Sequence, residues 1–112
     1  MPNTSPTTKH PRLRTSTDAS FAADLAAAPL VLVKFAGAWC PPCRALQPTL
    51  EAIARDRDDI LVLSVDVDEN HALAEQFKVR SVPTLVAFRA GQPIGQILGN
   101  QPRPRIEALL RG

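Results

Sequence analysis

Apolar residues fall into two kinds of run along this chain, and the difference between them divides it into elements. "PLVLVKF" (29–35) and "ILVLSVDV" (60–67) are nearly continuous apolar stretches rich in Val, Leu and Ile. Such runs fit strands buried on both faces of a sheet. Between them, "RALQPTLEAIARDRDD" places Leu46, Leu50, Ile53 and Ala54 on one face at helical spacing and its charges on the other. Pro48 lies inside that helix and is expected to kink it, because proline lacks a backbone donor and crowds the preceding turn.

The remaining segments are shorter. "TDASFAADLAAA" (17–28) opens with Asp18 and Ser20 as capping candidates and sets Phe21 and Leu25 four residues apart, which predicts a helix. "ENHALAEQF" (69–77) predicts another. "TLVAFR" (84–89) and "QPIGQIL" (92–98) form a hairpin about Ala90 and Gly91, and "RPRIEALLRG" (103–112) closes the chain as a helix. Strands alternating with helices and ending in a hairpin predict an α/β fold, a mixed sheet covered by helices on both faces.

Ahead of this, "MPNTSPTTKHPRLRTST" is polar and basic at Lys9, Arg12 and Arg14, with no acid before Asp18. The expected division is a flexible polar tail over 1–14 and one domain over 15–112, with a short first strand conceivable within 12–16. The shortage of acids also suits a transit peptide, but the segment has no amphipathic periodicity. At 112 residues the chain holds one core and no second domain. A net charge of +2 with 21% charged residues points to no polyanionic partner, so no nucleic acid is expected. No apolar run approaches the roughly 18 residues of a membrane span. The first residues lack the apolar core of a secretory signal, so a cytoplasmic protein is expected.

The chain's two cysteines, Cys40 and Cys43, stand where the first buried run ends and the amphipathic helix begins. Unpaired N–H groups and the helix dipole there favour an anion, which a thiolate is. A second thiol three residues on can resolve a mixed disulfide by closing a small ring. Spacing and placement together point to dithiol exchange. A zinc site lacks its other half, since there are no further cysteines and His10 and His71 are isolated. Two small core residues would leave the helix-start placement, Trp39 and the intervening Pro41-Pro42 unexplained.

"FAGAW" and "AWCPPCR", Pro48, "DVDEN" at 66–70, Val82-Pro83-Thr84, the "FRAG" hairpin and Gly99 together resemble the thioredoxin family over about residues 15–112. The resemblance implies a thioredoxin fold, α/β, with a central mixed sheet of four to five strands flanked by helices. It implies Cys40 as nucleophile and Cys43 as resolving cysteine. Trp39 would shield the site, Pro83 would be a cis proline facing the sulfurs, and Val82 and Gly99 would line the client groove. It further implies no bound cofactor or metal, a redox-active Cys40–Cys43 disulfide, electrons from a thioredoxin reductase, client proteins with disulfides, and a monomer. "WCPPCR" also resembles tryparedoxins and nucleoredoxins, whose domains are longer.

Two positions depart from the family pattern. Pro41 stands where glycine is usual, which removes a donor and stiffens the loop, leaving the Cys43 N–H as the main local donor to a Cys40 thiolate. Lys34 stands where a buried aspartate usually helps deprotonate the resolving cysteine, and the lysine that often accompanies that acid corresponds to Ser64. A charged Lys34 disfavours an uncharged thiol beside it, and a neutral one accepts a proton. Alternatively its flexible stem snorkels to water and does no chemistry. Arg44, on the first helical turn, could stabilise a Cys40 thiolate through space, but it reads more readily as a solvated surface charge. Asp66, Asp68 and Glu69 lack a calcium-loop spacing and read as a strand-end loop capping the next helix.

The expected function is therefore thiol–disulfide oxidoreductase, reducing protein disulfides. The same dithiol can also run as oxidant or isomerase according to its potential. The rival of another class is a thioredoxin-fold binding module whose dithiol is incidental.

Overall fold

The computed structural model describes residues 12–112. In chain order they form β1 (Leu13–Thr15), α1 (Phe21–Ala26), β2 (Leu30–Ala36), α2 (Pro41–Asp56), β3 (Ile60–Asp66), α3 (His71–Gln76), β4 (Thr84–Arg89), β5 (Gln92–Leu98) and α4 (Arg103–Arg111). The five strands make one mixed sheet in the order β1-β3-β2-β4-β5. β1 and β2 run parallel to β3, whereas β4 is antiparallel to β2 and β5 to β4.

Strand alternation decides which helices cover which face. Leu30 and Leu32 of β2, Ile60 and Val62 of β3, and Leu85 and Ala87 of β4 pack with Leu46, Leu50 and Ile53 of α2 and Ile106 and Leu110 of α4. The intervening residues Val31, Val33, Phe35, Leu61, Leu63, Val65, Val86 and Phe88 pack on the other face with Phe21 of α1 and Leu73 of α3. The continuous apolar runs read from the sequence are thus strands with two buried faces.

On the α2 side this pattern changes along the strands. Leu30 and Leu32 give way to Lys34, and Ile60 and Val62 to Ser64, with Lys34 paired opposite Ser64 and Ala36 opposite Asp66. Both rows become polar at one level, at the carboxyl ends of the two parallel strands. α2 begins over this end. A site is placed there for the same reason as in open α/β sheets generally, where the strand ends leave a crevice that no helix fills.

Two expectations need correction. Ordered structure begins before residue 15: Leu13 is buried in β1 and pairs with Val62, so a tail ending at 14 overlaps the first strand. Residues 1–11, including Lys9 and His10, lie outside the described residues. The strand itself falls within the 12–16 window named from the sequence, although a lone buried leucine among polar neighbours marks it only weakly. Arg12 holds it down by donating to the carbonyls of Ala54 (3.0 Å) and Arg57 (3.0 Å), two groups that the end of α2 leaves unpaired.

Asp18 and Ser20 do not cap α1 through their side chains. The Leu73 N–H of α3 donates to the Asp18 carboxylate (3.0 Å), while the Asp18 N–H donates to the Asn70 side-chain oxygen (2.9 Å). Asp18 therefore caps α3 across a separation of 55 residues, a role that local sequence cannot display. Ser20 donates to Asp24 (2.9 Å) instead.

Pro48 leaves the Arg44 carbonyl without its intrahelical donor, and α2 runs through it as one helix of 16 residues. The proline removes one bond without ending the helix, because Leu46, Leu50 and Ile53 are anchored in the core on both sides of it. The hairpin forms as the sequence indicates: Ala90 (φ 52°) and Gly91 (φ 80°) are both left-handed, as a two-residue turn of the twist-matched kind requires.

Candidate active site

Cys40 is the residue immediately before α2, in extended conformation (φ −130°, ψ 96°), and Pro41 and Pro42 fill the first two helical positions. Those are positions whose N–H groups have no intrahelical partner, so two prolines cost the helix nothing there. The first helical N–H beyond them belongs to Cys43 and donates to the Cys40 sulfur at 3.1 Å. The Arg44 N–H donates to the Cys40 carbonyl at 3.1 Å, closing the first turn. Cys40 and Cys43 are joined as a disulfide.

Both cysteines are buried and pack with Ala36 and Val82. Trp39, by contrast, is 90% exposed. The Val82–Pro83 peptide bond is cis, and the Pro83 carbonyl accepts from the Gly99 N–H (2.8 Å), tying the end of β5 to this loop. Gly99 sits at φ +84°, a conformation that side chains other than glycine rarely adopt. Leu98, which pairs opposite Thr84 in the β4–β5 register, is 54% exposed. Sequence reasoning missed Leu98; its only signal is an apolar residue ending an edge strand beside Gly99.

Behind the disulfide lies a cleft of about 670 Å³, lined by Cys43, Lys34, Gln47, Glu51, Ser64 and Asp66 among others. Cys43, Gln47 and Glu51 are successive members of an i, i+4, i+8 row, so they share one face of α2. Lys34 is buried at 7% exposure. Its ammonium donates to the Gln47 side-chain oxygen (2.7 Å), and the Gln47 amide nitrogen donates to Glu51 (3.4 Å). Burial pulls the Lys34 pKa below its ordinary value, and the nearby Glu51 charge offsets part of that fall. The snorkelling alternative does not describe this side chain, which is held inside the cleft by an amide. Sequence reasoning missed Gln47 and Glu51 as well, although their spacing from Cys43 was available as a signal.

The other candidates stand apart. Arg44 lies exposed at the rim of the cleft. His71 is exposed at the start of α3. Asp66 accepts the Asp68 N–H (2.8 Å) and, through its carbonyl, the Asn70 side chain (2.9 Å), so this acidic loop shapes the entry to α3. Among the described residues no group of three or more His, Cys, Asp or Glu is placed to hold a metal ion.

Comparison with known proteins gives one family. The family description "Thioredoxin" matches residues 12–112. Thioredoxin from Alicyclobacillus acidocaldarius is 42% identical over 97 residues, covering 86% of this chain and 92% of its own. A bifunctional thioredoxin reductase/thioredoxin from Mycobacterium leprae is 44% identical over 97 residues, covering 85% of this chain and 20% of its own. The solved structure of a mutant thioredoxin from Halobacterium salinarum superposes with a TM-score of 0.82 at 34% identity, covering 93% of each chain.

Proposed function

The chain belongs to the thioredoxin family and is a thiol–disulfide oxidoreductase of the protein-disulfide reductase kind, working through a redox-active disulfide, and from this we infer how its residues divide the work. The observation that carries the division is the 3.1 Å bond from the Cys43 N–H to the Cys40 sulfur at the start of α2. A donor and a helix N-terminus aimed at one sulfur favour its thiolate, which makes Cys40 the nucleophile.

The Cys40 thiolate attacks a client disulfide, forming a Cys40–client bond and releasing the client's other sulfur as a thiolate that takes a proton from solvent. Cys43 then loses its proton and attacks the Cys40 sulfur. The Cys40–Cys43 bond forms as the Cys40–client bond breaks, and the electron pair leaves with the second client sulfur. Two electrons have moved from the dithiol to the client. The reverse exchange with a reductase restores the dithiol, a partner supported by the relative whose name joins thioredoxin reductase to thioredoxin.

Trp39, Val82, Pro83 and Gly99 are the client-binding residues in this reading, and Pro41 and Pro42 fix the helix start that presents Cys40. Support comes from the exposure of Trp39 and from Val82 packing against the cluster of Ala36, Cys40 and Cys43. Client proteins, a monomeric working unit and a cytoplasmic setting complete the reading. No helix among the described residues is long and apolar enough to cross a membrane.

Lys34 supports the second step. A charged amine favours the Cys43 thiolate, so removing it should raise the pH at which resolution becomes fast. The test is the rate of reduction of a protein disulfide by dithiothreitol, with catalytic amounts of wild type or Lys34→Met, across pH. Wild type should accelerate reduction, and Lys34→Met should retain acceleration with its rising limb moved to higher pH. No acceleration by wild type would sink the functional reading, and superimposable profiles would sink the role of Lys34.

A further inference from the structure

The charge on Lys34 has its own control. From α2 the amine meets Gln47, with the charge of Glu51 beyond it and Cys43 and Arg44 elsewhere along the cleft. From β3 the backbone register partner of Lys34 is Ser64, which lines the cleft together with Asp66. From β1 the cleft takes in Arg14, and from β4 the paired residue is the apolar Leu85. Two of these charges are engaged elsewhere: Arg14 donates to Asp24 (3.3 Å), and the Asp66 carboxylate accepts the Asp68 N–H. Glu51 is the acid that acts on Lys34, and Gln47 bridges the two with one hydrogen bond to each.

We propose that Glu51, acting through Gln47, is a positioning residue for the resolving half of the reaction: it keeps Lys34 charged and turned into the cleft that Cys43 lines, where the ammonium favours the Cys43 thiolate. The proposal rests on the thiol–disulfide reading and adds to it. Glu51 is itself an anion and would by its own field oppose a thiolate. Distance decides which effect wins. Eight residues of helix separate Glu51 from Cys43, about 12 Å along the axis. The path from Glu51 to Lys34 is a single side-chain amide. Glu51 therefore acts on Lys34 more strongly than on the sulfur, and its net effect on Cys43 has the sign of the ammonium.

Two measurements test this. The first follows the Lys34 side-chain carbon resonance through a pH titration of the oxidised protein, wild type against Glu51→Gln. The midpoint should fall in the variant, and an unchanged midpoint would overturn the proposal. The second measures client release from a preformed Cys40–client mixed disulfide in wild type, Glu51→Gln, Lys34→Met and the double variant near neutral pH. Glu51→Gln should slow release about threefold, the size expected of one partly screened charge, and should have no effect where Lys34 is already methionine. A Glu51→Gln effect that persists undiminished in the Lys34→Met background would overturn the proposal, because Glu51 would then reach Cys43 without the amine. Absence of client release even from wild type would overturn the dithiol reading instead. The titration tells the two failures apart, since it reports on Lys34 without any thiol chemistry.

Discussion

A Cys43→Ser protein is expected to stop halfway, accumulating as a covalent Cys40–client adduct that persists until an external thiol releases it. Serine matches cysteine in shape, so the first attack by Cys40 is retained. Its hydroxyl is not appreciably ionised near neutral pH, so the second attack is lost. An intramolecular thiol acts at an effective concentration of 10⁵ M or more when well oriented, which millimolar dithiothreitol cannot match. Turnover should therefore fall by several orders of magnitude. Cys40→Ser should be as inactive but form no adduct. Mass measurement of the protein after incubation with a disulfide client separates the two. An adduct on Cys43 in the Cys40→Ser protein, with none on Cys40 in the Cys43→Ser protein, would reverse the assigned roles.

The largest expected loss of stability lies away from the sulfurs. Phe88 of β4 is 1% exposed and stands edge-on to Phe21 of α1 (5.8 Å between centroids) and Phe77 after α3 (5.4 Å). These rings join both helices of that face to the sheet. Phe88→Ala removes the ring that β4 contributes and should cost about 4 kcal/mol, transfer and cavity effects together, from a total of roughly 5–15 kcal/mol. The denaturant midpoint should fall with an unchanged slope. Trp39→Ala, at a site 90% exposed, should leave the midpoint nearly unchanged while weakening client reduction. A Phe88→Ala loss below about 1 kcal/mol would mean that this face is not the core described here.

Lys34 couples stability to pH as well. The folded chain binds its proton less tightly than the unfolded chain, whose lysine titrates near 10.5. Between the lowered pKa and that value the unfolded state holds more protons, so this residue makes stability rise with pH across that window. Below it, the cost of burying the ammonium is present in full.

Much of the fold was legible because its signals are local. A continuous apolar run says buried strand, and the Leu46, Leu50 and Ile53 spacing says helix face; β4 and β5 appeared where read, with their turn at Ala90 and Gly91. The cysteine pair was legible for the same reason, since strand end, spacing and helix start are all within a few residues. What escaped depends on contacts between distant segments. Asp18 looks like a cap for its own helix until Leu73 is seen donating to it. β1 was only conceivable from the sequence, because its three residues are held by pairing with β3 and by Arg12, neither of which marks its own sequence. Lys34 was seen as a departure in kind, but which groups set its charge depended on which face of α2 met it.

The central claim is that Cys40 and Cys43 form a reversible dithiol of reducing character. It is tested most directly by equilibrating the protein in glutathione buffers of graded poise and quantifying the intramolecular disulfide by mass. The account predicts a single two-electron transition near roughly −270 mV, the range of a thioredoxin-type reductant. A transition near roughly −120 mV would contradict its reducing character, and no Cys40–Cys43 disulfide at any poise would contradict the dithiol itself.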